Sequence, residues 1–476
     1  MSRRLLQSLV LILAACTRLP AAGPADWNRF RGESGTGVAT NQTIPTELNP
    51  ETDALWSIEL AEGTSSPIIV GERLFVTSHR DDLRTLHCLN AVTGKSLWEA
   101  SVPKQHDEIA TPPAGPSTPT PACDGERVYA SFPDAGTFAW TVEGEPVWNR
   151  PAQRSTTMHG LSASLVCHGG RVFQIADQLS DSWIAALDAK SGEVLWKQER
   201  LPGVTGGYST PVIYEPAGAA PLLITTGPFE AVAYDPATGD RVWWLLGRTN
   251  APVSSPLISG NTLYFCEPLG ERLPMSLVGG LDRNKDNRLD QQECEGNEAI
   301  RRLLVRIDSQ WGNGDQVVEE AEWDKAFGEF EGKGGLTAVR PVGSGDVSQS
   351  AVIWNFTKGM PYIPGVLVDG NVVFAVDDGG VVTTINATTG EQIRKGRLQH
   401  GNSQYYASPV AAGGHIVLVD TKGIVNVISS EGDWKPVSHF NLDAPCYATP
   451  AIAGNRLYVR TTKSLYCFGS RGTPAR

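Results

Sequence analysis

The sequence predicts an all-β chain folded as an eight-bladed β-propeller, with a small α-helical insert in the fifth blade. Three observations predict it. A motif recurs eight times: a Ser/Thr-Pro step, a short apolar run, a Gly and a second apolar run, as in 447–459 (YATPAIAGNRLYV). A second motif, Asp/Asn-x-x-x-Gly followed four residues later by Trp, recurs between copies of the first. One interval between copies is far longer than the rest.

The copies are indexed by Pro67, Pro121, Leu165, Pro211, Pro256, Pro364, Pro409 and Pro450, which stand 54, 44, 46, 45, 108, 45 and 41 residues apart. A period of roughly 40–50 residues built from short strands is that of a propeller blade. The runs Ile68-Ile69-Val70 and Leu74-Phe75-Val76 are too short and too β-branched for helices. The Gly between two such runs marks a hairpin turn.

The second motif reads 90–98 (NAVTGKSLW), 188–196 (DAKSGEVLW) and 235–243 (DPATGDRVW), with a weaker copy ending at Trp148. The Asp or Asn caps a tight turn and the Gly takes positive φ. The Trp then sits on the outer strand, where a flat indole can wedge between blades. Blade six departs from the pattern, with Arg394 in the place of the Trp.

This repeat resembles the tryptophan-docking motif of the pyrroloquinoline-quinone (PQQ) propeller superfamily, which includes quinoprotein dehydrogenases and the lipoprotein BamB of outer-membrane barrel assembly. The resemblance covers nearly the whole chain beyond its first residues. Segments 26–32 (DWNRFRG), Gly345-Asp346-Val347 and 446–450 (CYATP) are similar to those of secreted PQQ-like propellers. The resemblance implies the fold and leaves the activity open.

The last copy stops after Phe468 without a Trp strand of its own, whereas 54–60 (ALWSIEL) has that character ahead of the first copy. This early strand is expected to complete blade eight and leave no open edge.

Residues 1–22 read as an export signal: Arg3 and Arg4, then an apolar stretch around 9–13 too short to span a bilayer. Leu13-Ala14-Ala15-Cys16 has the form of a lipobox, with cleavage before Cys16 and lipidation of its thiol. Ordinary cleavage near Ala22 is the alternative. The protein is expected outside the cytoplasm, in the cell envelope or secreted, touching a membrane only through that anchor. The propeller is expected over 47–268 and 335–470, the insert over 269–334 and a tail over 471–476. The eight Cys include no C-x-x-C, and spacing selects no disulfide pair. The formal net charge is −12, from 40 Lys/Arg and 52 Asp/Glu, with no basic cluster to track phosphates, so nucleic acid is not an expected partner.

The long interval opens after Cys266 and ends where propeller pattern resumes at Gly335. Its 15 Asp/Glu against 9 Lys/Arg hold half of the net charge. Residues 282–293 (DRNKDNRLDQQE) match a calcium-binding EF-hand loop: side-chain oxygens from Asp282, Asn284, Asp286 and Asp290, the Arg288 carbonyl, and a bidentate Glu293. Asn287 stands where Gly is usual, and Asn tolerates the left-handed region. A second, weaker loop offers Asn313, Asp315 and Glu322. Trp311 occupies its first place and cannot ligate, and Asp308 could serve through an expanded loop. Between the loops, 298–307 has helical periodicity. Ca²⁺ is the expected cofactor, and Val317/Val318 are expected to brace Leu289.

Tyr208, Tyr362, Tyr406 and Tyr447 stand near the start of the innermost strands and are expected to ring one mouth of the central channel. His106, His159 and His400, with Asp107 and Asn402, lie in loops expected on the same face. They form the candidate ligand funnel; packing at strand starts is the plainer role for the tyrosines. No catalytic residue is assigned. Quinoprotein enzymes, by the resemblance, hold PQQ between a Trp and a disulfide of adjacent cysteines, beside Ca²⁺ and an Asp base. The chain has no adjacent Cys pair, so PQQ is not expected. The reading is a calcium-binding, extracytoplasmic scaffold that offers a funnel or rim to a protein or small ligand of the envelope. The alternative is a PQQ-dependent oxidoreductase using the funnel.

Overall fold

In the computed structural model, residues 26–469 are described, except 47, 109, 158, 180, 202–205, 250, 270–273, 296–297, 329–333 and 342. The export segment, Cys16 and the tail therefore lie outside the described residues.

Eight sheets, antiparallel but for one added strand in the fourth, form the ring. Blades one to four each take four consecutive strands, beginning at Ile68–Val70, Ala122–Cys123, Val166–His168 and Val212–Tyr214. Blades six and seven begin at Leu367–Asp369 and Val410–Ala412. Blade eight takes Ala451–Ala453, Arg456–Arg460 and Ser464–Gly469, and its outer strand is Ala54–Glu59, with Trp56 opposite Cys467. The early strand thus closes the ring. The blade-six strand starts after Val366, so Val366 and not Pro364 is the equivalent of Pro67. The sequence index there is two residues early, because Pro364 belongs to the approaching loop.

Middle strands are buried on both faces, whereas outer strands such as Ser96–Pro103 alternate. That is why the middle strands read as near-continuous apolar runs and the outer ones do not.

The second motif explains how blades dock. Asn90, Asp188, Asp235 and Asn386 each accept backbone N–H bonds two and three residues on, at 2.7–3.3 Å. The Ser191 and Lys190 amides hold Asp188 below the usual carboxylate range. The following Gly takes positive φ, 71° at Gly94 and 81° at Gly239. Over this Gly lies the Trp of the preceding blade. Its indole N–H donates to a carbonyl in the same turn: Trp56 to Ala91, Trp98 to Val142, Trp148 to Ala189, Trp196 to Pro236 and Trp354 to Ala387, all at 3.0–3.1 Å. Trp56 makes this contact across the closing seam, onto Gly94 of blade one.

Two further seams use other means. In blade six, the Arg394 guanidinium stacks on Trp434 of blade seven at 4.7 Å and pairs with Asp433 at 2.5 Å. Trp243 of blade four is covered by Gly345–Asp346, a fifth strand that runs parallel to Arg241–Leu246. This accounts for the Gly345-Asp346-Val347 segment: Val347 is buried against Trp243 and its neighbours.

Blade five is made of Leu257–Ser259, Thr262–Glu267, Gly335–Val339 and Val352–Phe356. The insert leaves between its second and third strands. It contains helix α1 (Glu298–Trp311), helix α2 (Glu320–Gly328) and a two-stranded pairing of Arg288–Asp290 with Val317–Glu319. Leu289, Leu303, Leu304, Ile307, Val318, Trp323 and Phe327 form its core. That core docks on Phe229, in a blade-four turn: Phe327 meets it edge-on at 6.0 Å, and Arg306 lies over its ring at 5.7 Å.

Candidate binding funnel and acidic insert

The innermost strands start from a ring of hydroxyls. Ser66 N donates to Thr120 Oγ1, Thr120 N to Ser164 Oγ, Ser164 N to Thr210 Oγ1 and Thr210 N to Ser255 Oγ, at 2.9–3.1 Å. The ring resumes with Gly365 N to Ser408 Oγ, Ser408 N to Thr449 Oγ1 and Thr449 N to Ser66 Oγ, at 2.9–3.0 Å. Each residue before the strand-leading position thus receives its neighbour's amide, which satisfies a buried donor. The ring breaks only at blade six, where Gly365 has no hydroxyl to offer.

Above this ring is a cavity of about 330 Å³ lined by Tyr208, Tyr362, Tyr406, Tyr447 and His159, together with the ring residues. Tyr406 and Tyr447 pack at 5.6 Å between centroids, and His159 lies 5.7 Å from Tyr208. Burial pushes the Tyr208 phenol up to about 12, so it stays protonated and able to donate at neutral pH. Among the described lining residues there is no Asp, Glu, Lys or Arg.

Two of the expected histidines stand elsewhere. His106 does not line the cavity; its Nε2 lies 3.1 Å from Glu108, whose other oxygen accepts Ser155 N. His400 stacks flat on His439 at 3.5 Å on the outer strand of blade seven. Asp107 is an exposed partner of Lys104, and Asn402 is exposed. These residues sit in long interblade loops, and position in a loop does not tell which way the loop folds.

The floor of the cavity has no counterpart among the sequence expectations. Residues 26–46 cross the ring at the far end of the innermost strands. Trp27 exchanges backbone hydrogen bonds with Ile69 of blade one at 2.8 and 2.9 Å, and Asn28 O accepts Cys123 N of blade two at 2.9 Å. A short turn at Glu33–Gly35 lies against the first strands of blades four and five. Arg31 donates to Val366 O of blade six at 2.5 Å, and Gly37 and Ala39 bracket Ala411 of blade seven at 2.8 Å. Thr43 N reaches Asn455 Oδ1 of blade eight at 2.9 Å. Phe30 of this segment faces into the cavity. The segment therefore lies across the inner strands at one end of the cavity. Trp27 and Arg31 are almost fully buried, and a Cβ at Gly32 (φ 78°) would meet the Trp27 indole at 2.7 Å. Segment 26–32 is thus a plug that packs on the inner strands, ahead of the expected start of the propeller at residue 47.

The insert presents two loops. In the first, Asp282 accepts the amides of Asp286 and Asn287 at 3.2 and 3.0 Å, and Asn284 and Asp286 accept amides two residues on at 2.8 and 2.9 Å. Glu293 Oε1 receives Arg283 N and Oε2 receives Asp290 N, at 2.9 and 3.2 Å. Asn287 has φ 61°, the left-handed conformation that this place requires. The second loop repeats the arrangement with Asp308 in first place. Its oxygens take Gly314 N at 2.7 Å and Gln316 N at 2.9 Å. Asn313 stands five positions after Asp308 where Asn284 stands two after Asp282, so this loop is expanded. Asn313 and Asp315 accept amides two residues on, and Glu322 accepts Asn313 N and Glu319 N. Leu289 lies opposite Val318 in the strand pair that joins the loops. Among the described residues no three His, Cys, Asp or Glu side chains converge as a ready-made metal cluster; the loop oxygens are turned onto backbone N–H groups.

The sequence profile of a family described as outer membrane protein assembly factor BamB matches residues 40–179, 180–321 and 332–434. The chain belongs to this BamB-type family. Outer membrane protein assembly factor BamB of Alkalilimnicola ehrlichii is 27% identical over 235 residues, 45% of this chain and 52% of that protein. The chain thus spans about half the length of the curated relative it matches. BamB from Moraxella catarrhalis superposes with a TM-score of 0.54 at 14% identity, over 89% of this chain and 99% of that one. The quinohemoprotein alcohol dehydrogenase of Comamonas testosteroni gives 0.59 at 12%, over 96% and 82%. A europium-containing methanol dehydrogenase gives 0.59 at 11%, over 94% and 98%. At these identities the likeness shows the fold alone.

The described cavity wall lacks the Asp base and the adjacent cysteines that the resemblance implies for a PQQ site. The described wall has no carboxylate to act as base or to hold a cation beside the quinone. All seven described cysteines are free thiols, and no two are adjacent in sequence.

Proposed function

We propose that the protein is a calcium-binding propeller scaffold that works outside the cytoplasm and receives a small ligand or a chain segment of a protein partner in its funnel. One observation carries this reading: the cavity is walled by hydroxyls and tyrosines, is crossed at one end by residues 26–46, and has no carboxylate on its described wall. Such a wall binds and orients through hydrogen bonds and ring contacts, and its one imidazole, His159, has no carboxylate on the described wall to pair with. The ring hydroxyls have accepted an amide each, and their own O–H groups remain to donate inward. Kinship with a barrel-assembly factor supports a partner in the cell envelope.

The oxidoreductase alternative has a direct test. Purified protein supplied with PQQ and Ca²⁺ is expected to show no dye-linked oxidation of alcohols or sugars. Sustained turnover, abolished by chelation, would overturn the scaffold reading.

The insert, in this proposal, is a pair of EF-hand loops holding Ca²⁺ through Asp282, Asn284, Asp286, the Arg288 carbonyl, Asp290 and Glu293, with Asp308, Asn313, Asp315 and Glu322 forming the second loop. A carboxylate oxygen that accepts one amide keeps a lone pair for a cation. The site lies on the rim, over the blade-four turn, and braces the fold instead of entering the funnel.

The export signal and the Cys16 lipobox support an anchored location. Cys16→Ser is expected to move the protein from the membrane fraction to the soluble fraction. An unchanged distribution would rule out a lipid anchor at this thiol.

A further inference from the structure

The break in the hydroxyl ring is filled by a cation. Gly365 lines the funnel, and a Cβ placed on it would meet Arg31 Nη1 at 2.1 Å and Ser408 Oγ at 3.3 Å. Arg31 Nη1 therefore occupies the slot that a Ser or Thr side chain fills in the other seven blades. The plug delivers the guanidinium from below, and the absence of a side chain at Gly365 lets it in.

Arg31 is poorly satisfied there. It is 1% exposed. Nη2 donates to the carbonyls of Val366 and Thr36, at 2.5 and 3.3 Å. Nε and Nη1 have no hydrogen-bond partner. Among the described residues no carboxylate pairs with it, in contrast to the buried pairs Arg84–Asp134, Arg200–Asp177 and Arg248–Glu267. Burial lowers its pKa only to about 10, so it is charged at neutral pH. A buried guanidinium with unmet donors is costly unless something meets them. The donor in question stands behind Gly365 in the ring slot, and Gly365 and the seven hydroxyl residues of the ring line a cavity with space for a ligand.

We propose that the funnel floor at Gly365 is a carboxylate subsite, where Arg31 Nη1 receives the anionic end of a small organic acid whose body lies among the tyrosines. The inference rests on the funnel being a ligand site and adds the charge of the ligand. The neighbouring hydroxyls suit it as well, since Ser255 and Ser408 flank the slot and can donate. A basic ligand is disfavoured by the same charge.

Benzoate and its neutral isostere benzamide test this by calorimetry at pH 7.5, on the wild-type protein, Arg31→Met and Gly365→Ser. The wild type is expected to bind benzoate at least roughly tenfold more tightly than benzamide, as a charge-assisted bond predicts. Gly365→Ser restores a hydroxyl but claims the space of Nη1. Both variants are expected to lose the preference while keeping the benzamide affinity. Equal affinities in the wild type would overturn the subsite and leave the funnel reading standing, as would a preference that survives in either variant. Binding of neither probe would sink the funnel reading and the subsite together. Should either variant fail to fold, the benzoate-to-benzamide ratio in the wild type decides alone.

Discussion

Trp196→Ala is expected to destabilise the protein by about 3–5 kcal/mol, the range for deleting a large buried aromatic side chain. Trp196 is 9% exposed, packs 6.0 Å from the Phe173 ring, and its indole donates to Pro236 O at 3.1 Å across the seam between blades three and four. Deletion removes the apolar contact and leaves that carbonyl without its donor. The other half of the joint is Gly239. Its φ is 81°, and a Cβ there would sit 2.6 Å from the indole. Gly239→Ala is expected to cost about 2–4 kcal/mol, combining left-handed strain with overpacking. The two losses should not add. Without the indole, the methyl group added at position 239 meets no ring and only the strain remains, about 1–2 kcal/mol. Urea unfolding of both single variants and the double variant reads this directly. Additive losses would mean that indole and glycine are not one unit, and that the repeated pairing of Trp with Gly is not what holds neighbouring blades.

Calcium is expected to bind the insert with measurable heat, and Asp282→Ala combined with Glu293→Ala is expected to abolish binding at the first loop. At a Ca²⁺ concentration a hundredfold above Kd the ion adds about 2.7 kcal/mol to whatever unit binds it. The physical basis is the charge the insert carries and the way it is held. Asp282, Asp286, Asp290 and Glu293 crowd one short loop, and their repulsion is relieved only partly by backbone amides. Glu293 is largely buried and fixes both ends of the loop, through Arg283 N and Asp290 N. Its replacement should therefore weaken both the coordination and the loop. Because the insert docks on Phe229, the stabilisation should be visible as slower amide exchange in helix α2 and in the blade-four turn, while blade seven is unaffected. No heat with the wild-type protein would dispose of the metal site.

The repeat is legible because propeller blades reuse the same side chains at the same places. Pro67, Gly94 and Trp98 each mark a backbone requirement that recurs, and the ring closure through Trp56 follows from counting strands. The insert loops stand out for a similar reason, since side-chain oxygens at alternating places leave a pattern. The plug leaves none. Trp27, Asn28, Gly37 and Ala39 hold the inner strands mostly through backbone groups, which any residue could supply. The histidine placements fail because His106 and His400 lie where the chain turns between blades, and no periodicity governs those turns. Gly365 looks like an ordinary glycine; its meaning depends on Arg31, more than three hundred residues away in sequence.

That the outer strand of blade eight is Ala54–Glu59 has a consequence in time. A chain made from N- to C-terminus produces Trp56 411 residues before its partner Cys467. Blades one to seven can form in order as they emerge, each leaning on its predecessor. The plug and the first strand must wait for the whole circumference. Until then the inner strands have no floor, and blade one shows an uncovered flank. Closure thus waits for Ser464–Gly469: a chain cut short before residue 464 has nothing for Trp56 to pair with.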